Sequence, residues 1–144
     1  MKKTILLPLL VALALAAGCD NEESARTDET RAKLVGTWLR EAESGGVKSR
    51  RVLSLSQDGK FADRIHATAA DGQSERLDYA GEWSYDGTNL KRRYLQENGR
   101  QFSGGKIRYA TQPLVSVSSS ELVTRDNAGG IELVYQRAPE GTQP

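Results

Sequence analysis

In this chain of 144 residues, three kinds of side chain could do chemistry: one thiol, one imidazole, and charged or phenolic groups spaced two apart. Cys19 is the only cysteine and His66 the only histidine, which excludes intrachain disulfides and most zinc sites. Under strict strand alternation His66 faces outward, a poor place for a general base. Ser118, Ser119 and Ser120 share a turn with no base in sequence reach, and no phosphate-cradling glycine loop occurs. Asp63 is the acid on an inward phase, so paired carboxylates facing one lumen are missing. The expectation is therefore no enzyme, no metal and no cofactor.

Recognition chemistry is better supplied. Tyr79, Tyr85, Tyr94, Tyr109 and Tyr135 all take inward phases, and a phenol offers an apolar body with a polar tip. They either line a pocket for an amphipathic ligand or fill a small barrel. Tyr79, Tyr94 and Tyr109, with Arg92, are the candidate ligand-binding residues. Arg51, Asp63 and Arg92 also fall inward, where charge is costly unless paired or wet. Either they line a hydrated mouth able to hold an anionic headgroup, or a bulge shifts the register and turns them out. Lys48, Arg50, Lys91, Arg93, Lys106 and Arg108 point outward, as a face for anionic lipid or as a solvated surface that discourages edge pairing.

Strands must position these groups. Candidates run over residues 35–42, 47–56, 60–68, 76–85, 89–96, 106–117, 121–126 and 130–137. Asp58-Gly59, Asp71-Gly72, Asp86-Gly87, Asn98-Gly99 and Gly129-Gly130 separate them with tight-turn chemistry, and Gly104-Gly105 lies in a longer connection. Leu77, Tyr79, Gly81, Trp83 and Tyr85 share one phase; Ile107, Tyr109, Thr111, Pro113, Val115 and Val117 share another; Ile131, Leu133, Tyr135 and Arg137 a third. A sheet with one apolar face can bury it by closing on itself. The predicted fold is all-β: an eight-stranded antiparallel up-and-down barrel. Before it, Thr27, Asp28 and Glu29 followed by Arg31 and Lys33 predict one or two helical turns, capped by the hydroxyl and ended by Gly36.

The N-terminus reads differently. Lys2 and Lys3 precede an apolar run from Ile5 to Ala17 that is shorter than the ~18 residues a bilayer span needs. With Leu15-Ala16-Ala17-Gly18-Cys19 closing it, the segment resembles the signal and lipobox of bacterial lipoproteins. The resemblance implies cleavage after Gly18, acylation of Cys19 by diacylglycerol and further acyl chains such as palmitate, and a membrane anchor with no spanning helix. Asp20 and Asn21 resemble the signal that retains such proteins in the inner membrane, with the domain facing the periplasm. A retained span and an unlipidated secretory signal are the alternatives. The expected organisation is a signal peptide over 1–18, a flexible acidic tether over 19–30, the barrel over 31–138 and a disordered tail over 139–144. The mature part holds 18 basic and 19 acidic residues, a balance that does not argue for nucleic acid.

Gly36-Thr37-Trp38, after a helical entry and before eight strands, resembles the Gly-x-Trp signature of lipocalins. Gly81 to Gly87 resembles a mid-domain motif of short bacterial lipocalin-like domains. The resemblance implies that Trp38 plugs one barrel end with Arg137 packed across it, and that Gly36 and Trp83 are structural. It further implies a non-catalytic envelope protein that binds a small amphipathic or hydrophobic ligand. An inhibitor or immunity lipoprotein with a periplasmic protein partner, and a structural envelope component, are the other readings.

Overall fold

The structure, a computed structural model, describes residues 18–103 and 108–144, with side chains from residue 21 on. Most of the expected signal segment, and Gly104-Gly105 with Lys106, lie outside the described residues.

Helix α1 (Gly18–Leu34) leads into strands β1 (Gly36–Ser44), β2 (Val47–Leu55), β3 (Lys60–Ala69), β4 (Ser74–Tyr85) and β5 (Asn89–Glu97). A two-residue spur, β6 (Arg100–Gln101), precedes β7 (Arg108–Val117), β8 (Glu121–Arg125) and β9 (Glu132–Ala138). Every pairing is antiparallel, and the order β1-β2-β3-β4-β5-β7-β8-β9 returns to β1. The chain thus forms a closed eight-stranded up-and-down barrel, with the spur paired only to β5. Apolar inward residues drive the closure, because one-sided alternation leaves a face that only curvature can remove from water.

Two glycines permit the closure. A Cβ at Gly81 would stand 1.9 Å from the Arg93 carbonyl and 2.9 Å from the Phe61 ring, where a bulge opposes Leu95 to the Ala80/Gly81 step. Gly36 has φ +137°, and a Cβ there would meet the Arg137 guanidinium at 1.9 Å.

Three expectations are corrected. Residues 20–30, expected as a coil tether, are helical, and Thr27 sits inside α1 instead of capping it. Glu22–Arg26 and Glu29–Lys33 pair at helical spacing, and Arg31 stacks 4.9 Å over Trp83, so tertiary contact extends what the local sequence leaves marginal. The tail over 139–144 is tied down: Arg64 donates to the Thr142 carbonyl and the Gln143 amide, and Arg50 to the Gln143 carbonyl. Tyr109 lies outside the barrel, 68% exposed and paired with outward Arg93. A bulge at Val115, between the Leu114–Thr124 and Ser116–Val123 pairs, reverses the phase of β7. Val117 therefore faces in as expected, while Ala110, Gln112 and Leu114 take the inward places that alternation gives to Tyr109, Thr111 and Pro113.

Candidate functional site

The barrel has two unlike halves, and the candidate site is built where they meet. Toward one end, Leu34, Trp38, Leu53, Leu55, Phe61, Trp83, Leu90 and Leu122 form a buried core, and Tyr135 is packed into the same cluster. The end of α1 is joined to it by side chains that satisfy carbonyls a helix leaves unpaired. The Trp38 indole donates to Leu34 O at 2.8 Å. Arg137 donates to Lys33 O at 2.9 Å and Val35 O at 2.7 Å while its guanidinium lies 3.8 Å from the centre of the Trp38 ring. Such a cation over an indole contributes ~0.5–2 kcal/mol. Trp83 donates to Ser56 O at 2.8 Å, which joins the β2–β3 turn to the same end. This end is closed.

Above the apolar core lies a layer of charge. Arg51 grips Asp63 with two hydrogen bonds, at 2.8 and 2.5 Å, and Arg92 donates to Asp63 at 2.9 Å and to Gln112 at 2.9 Å. Asp63 is fully buried and Arg92 nearly so, whereas Arg51 keeps 22% of its side chain exposed. The inward phase of all three follows from register: Asp63 pairs with Leu53, and Arg92 with Trp83. No register shift turns these residues out; they point inward, but Asp63 and Arg92 are buried and paired and do not line a hydrated mouth. Pairing makes the burial tolerable, because two guanidiniums share one carboxylate. Burial alone would raise the Asp63 carboxyl, but the Arg51 hydrogen bond and charge, the Arg92 charge and the Tyr94 hydroxyl hold it below the usual carboxylate range. Burial would lower Arg51, and the Asp63 hydrogen bond with the nearby Tyr135 outweighs it, so its guanidinium is held above its ordinary value.

Tyrosines complete the layer. The Tyr94 hydroxyl donates to Asp63 at 3.4 Å, and its ring meets Phe61 and Tyr79 edge-on, with centroids 5.0 and 5.4 Å apart. Tyr79 donates to Glu97 at 3.3 Å. Burial raises both phenols above their ordinary value. The structure therefore brings together Tyr79, Tyr94 and Arg92 of the candidate ligand set and leaves Tyr109 out. Among the described residues, buried Arg92 Nε, Thr124 Oγ1 and Tyr135 OH have no hydrogen-bond partner.

Beyond the layer the inward residues are only partly buried. Along the β1–β2–β3–β4 register the next inward row is Arg40, Arg51, Ile65 and Leu77, and the row after it starts with the small residues Ala42, Ser49 and Ala67. At the rim, inward-phase Val47 and Ile131 reach 40% and 62% exposure. The wall is also incomplete. The β1–β9 ladder runs from Thr37–Ala138 to Leu39–Gln136, although β1 continues to Ser44 and β9 begins at Glu132. A seam follows beside Arg40. Sequence reasoning missed Arg40 and Gln112, and the alternation of β1 from Trp38 onward was the signal that could have found Arg40.

Two grooves of ≈480 and ≈630 Å³ lie on outer faces, one beside Glu41, Arg50 and His66, the other beside Lys60, Glu82, Arg93 and Tyr109. His66 thus stands outside, near the Glu41–Arg50 ion pair, and Arg108 turns to the rim, 3.7 Å from Glu97. Among the described residues no group of three potential metal ligands converges, and no helix is long and apolar enough to cross a membrane. Comparison with family models, with curated proteins and with solved structures finds no match to this chain.

Proposed function

We propose that the barrel is a non-catalytic carrier or sensor for a small amphipathic molecule, held at the cell envelope by lipid on Cys19 and facing the periplasm. One observation carries the reading: the half above the Arg51–Asp63 pair presents Ile65 and Leu77 inward beneath an exposed apolar rim and an unpaired seam. Apolar side chains at a mouth have no partner within the fold, and covering them with a ligand tail removes that area from water. Tyr79 and Tyr94 supply polar tips beside this surface.

The anchor fits this geometry. Helix α1 joins the barrel at the closed end, through Leu34, Trp38 and Arg137. A lipid on Cys19 would tether the protein through that end, so the mouth opens away from the anchor. Ligand then arrives from the periplasmic side and not by lateral transfer from the bilayer. The likeness of the N-terminal segment to a lipobox supports the anchoring, and Asp20 with Asn21 supports inner-membrane retention.

Native mass spectrometry of protein purified from its host tests the reading: a co-purifying small molecule is expected, and its removal should lower the melting temperature. A clean ligand-free mass, with no amphipath raising the melting temperature, would reject it in favour of a protein-binding inhibitor. For the anchor, Cys19→Ser should move the protein from the membrane to the soluble fraction.

A further inference from the structure

The charge balance inside the open half names the class of ligand. Arg40 and Arg51 stand directly opposite each other on β1 and β2 and share the inward face. Like charges at directly opposed positions destabilise a sheet pair. One buried carboxylate, Asp63, serves Arg51 and Arg92 together, and Arg40 has no ion-pair partner among the described residues. Of the nearby acids, Glu97 accepts from Tyr79 and pairs with Arg108, and Glu75 is exposed on the rim. The lumen above the layer therefore carries an uncompensated positive charge, faced by apolar Ile65 and Leu77.

A second observation lies across the seam. Continuing the β1–β9 register past Leu39–Gln136 sets Arg40 opposite Tyr135, whose buried hydroxyl has no hydrogen-bond partner. Tyr135 also lies close enough to Arg51 to act on its charge. Arg40, Arg51 and the buried Tyr135 phenol thus share the inward face beside the seam, and each has an N–H or O–H that an anion can accept from. A purely structural layer would need only the Arg51–Asp63–Arg92 set.

We infer that Arg40, Arg51 and Tyr135 form the headgroup site for an amphipath carrying a single acidic head, a carboxylate or a phosphate monoester, with its apolar tail passing Ile65 and Leu77 toward Val47 and Ile131. The inference rests on the proposed ligand-binding role and adds the charge and seat of the ligand.

Calorimetric titration of the full chain with decanoate, decyl phosphate and decanol tests it. The two anions should bind about tenfold tighter than decanol, as a charge-assisted contact predicts. Arg40→Gln should remove that advantage and leave decanol affinity unchanged, while Arg40→Lys should retain most of it. Either ranking of the two anions supports the site, and the ranking names the headgroup. A structural role for Arg40 would lower the melting temperature of the ligand-free Arg40→Gln protein; the anion site predicts that it holds or rises, because a like-charge pair is relieved. Equal binding of decanol and the anions, or unchanged anion affinity in Arg40→Gln, overturns the inference while sparing the pocket. Failure of all three probes to bind would remove the pocket and the inference together.

Discussion

The two ends of this barrel are made of the same strands, yet one is sealed and the other is not. At the sealed end, inward positions carry Trp38, Leu55, Phe61 and Trp83, and the last turn of α1 lends the Leu34 carbonyl to Trp38 and the Lys33 carbonyl to Arg137. At the other end the rows read Arg40–Arg51–Ile65–Leu77 and Ala42–Ser49–Ala67–Glu75. The ladders differ as well: β2 and β3 pair from Val47–Ala69 to Leu55–Phe61, whereas β1 and β9 part after Leu39–Gln136. Large apolar groups and satisfied carbonyls give one end its stability. Small and charged groups leave the other end unable to pack itself, which is the condition for receiving something else.

Substitutions can break this contrast, the strongest first. Trp38→Ala should cost ~3–5 kcal/mol, because it opens a cavity and strands Leu34 O and Arg137 at the sealed end. Urea denaturation measures it, and an effect below about 1 kcal/mol would mean that the closed end is not the source of stability.

Asp63→Asn comes next. It leaves two guanidiniums inside without their carboxylate, a change that typically costs ~3–5 kcal/mol, toward the lower value here because Arg51 reaches solvent. The same residue sets a pH dependence. Its folded-state pKa is held below the unfolded value of ~3.9. The stabilisation is therefore complete above about pH 4 and is lost as pH falls through the folded value. Acid titration of stability should show this component in the native protein and lack it in Asp63→Asn.

Gly36→Ala should cost ~1–3 kcal/mol, since φ +137° strains any L side chain and the new Cβ displaces Arg137 from its seat. Its melting curve should fall while amphipath affinity per folded molecule stays the same, which separates the two ends. Arg40→Gln should shift stability by less than about 0.5 kcal/mol while altering binding, the converse pattern.

Much of this architecture was legible in the residues. Asp-Gly and Asn-Gly pairs marked the turns, and Asn98 (φ +50°) with Gly99 (φ +74°) adopts the left-handed pair a tight hairpin needs. Period-two alternation gave the inward faces of β2 to β5, including the charged Arg51, Asp63 and Arg92. What alternation cannot carry is a change of phase. Val115 is one inserted residue, and counting through it put Tyr109 inside when it lies outside. The helix over residues 20–30 is hidden for another reason: a polar, acidic segment has little helix-forming drive alone, and Arg31 over Trp83 with two ion pairs supplies it in the fold. Tail residues 142 and 143 read as disordered because nothing local shows that Arg50 and Arg64 await them.

Amide chemical shifts followed through a decanoate titration show whether the open half receives the ligand. Perturbations should concentrate on Arg40, Arg51, Ile65, Leu77 and Tyr135 and leave the amides of Leu55, Phe61 and Leu90 at the sealed end in place. Shifts confined to the outer groove around Lys60, Arg93 and Tyr109 would contradict the account.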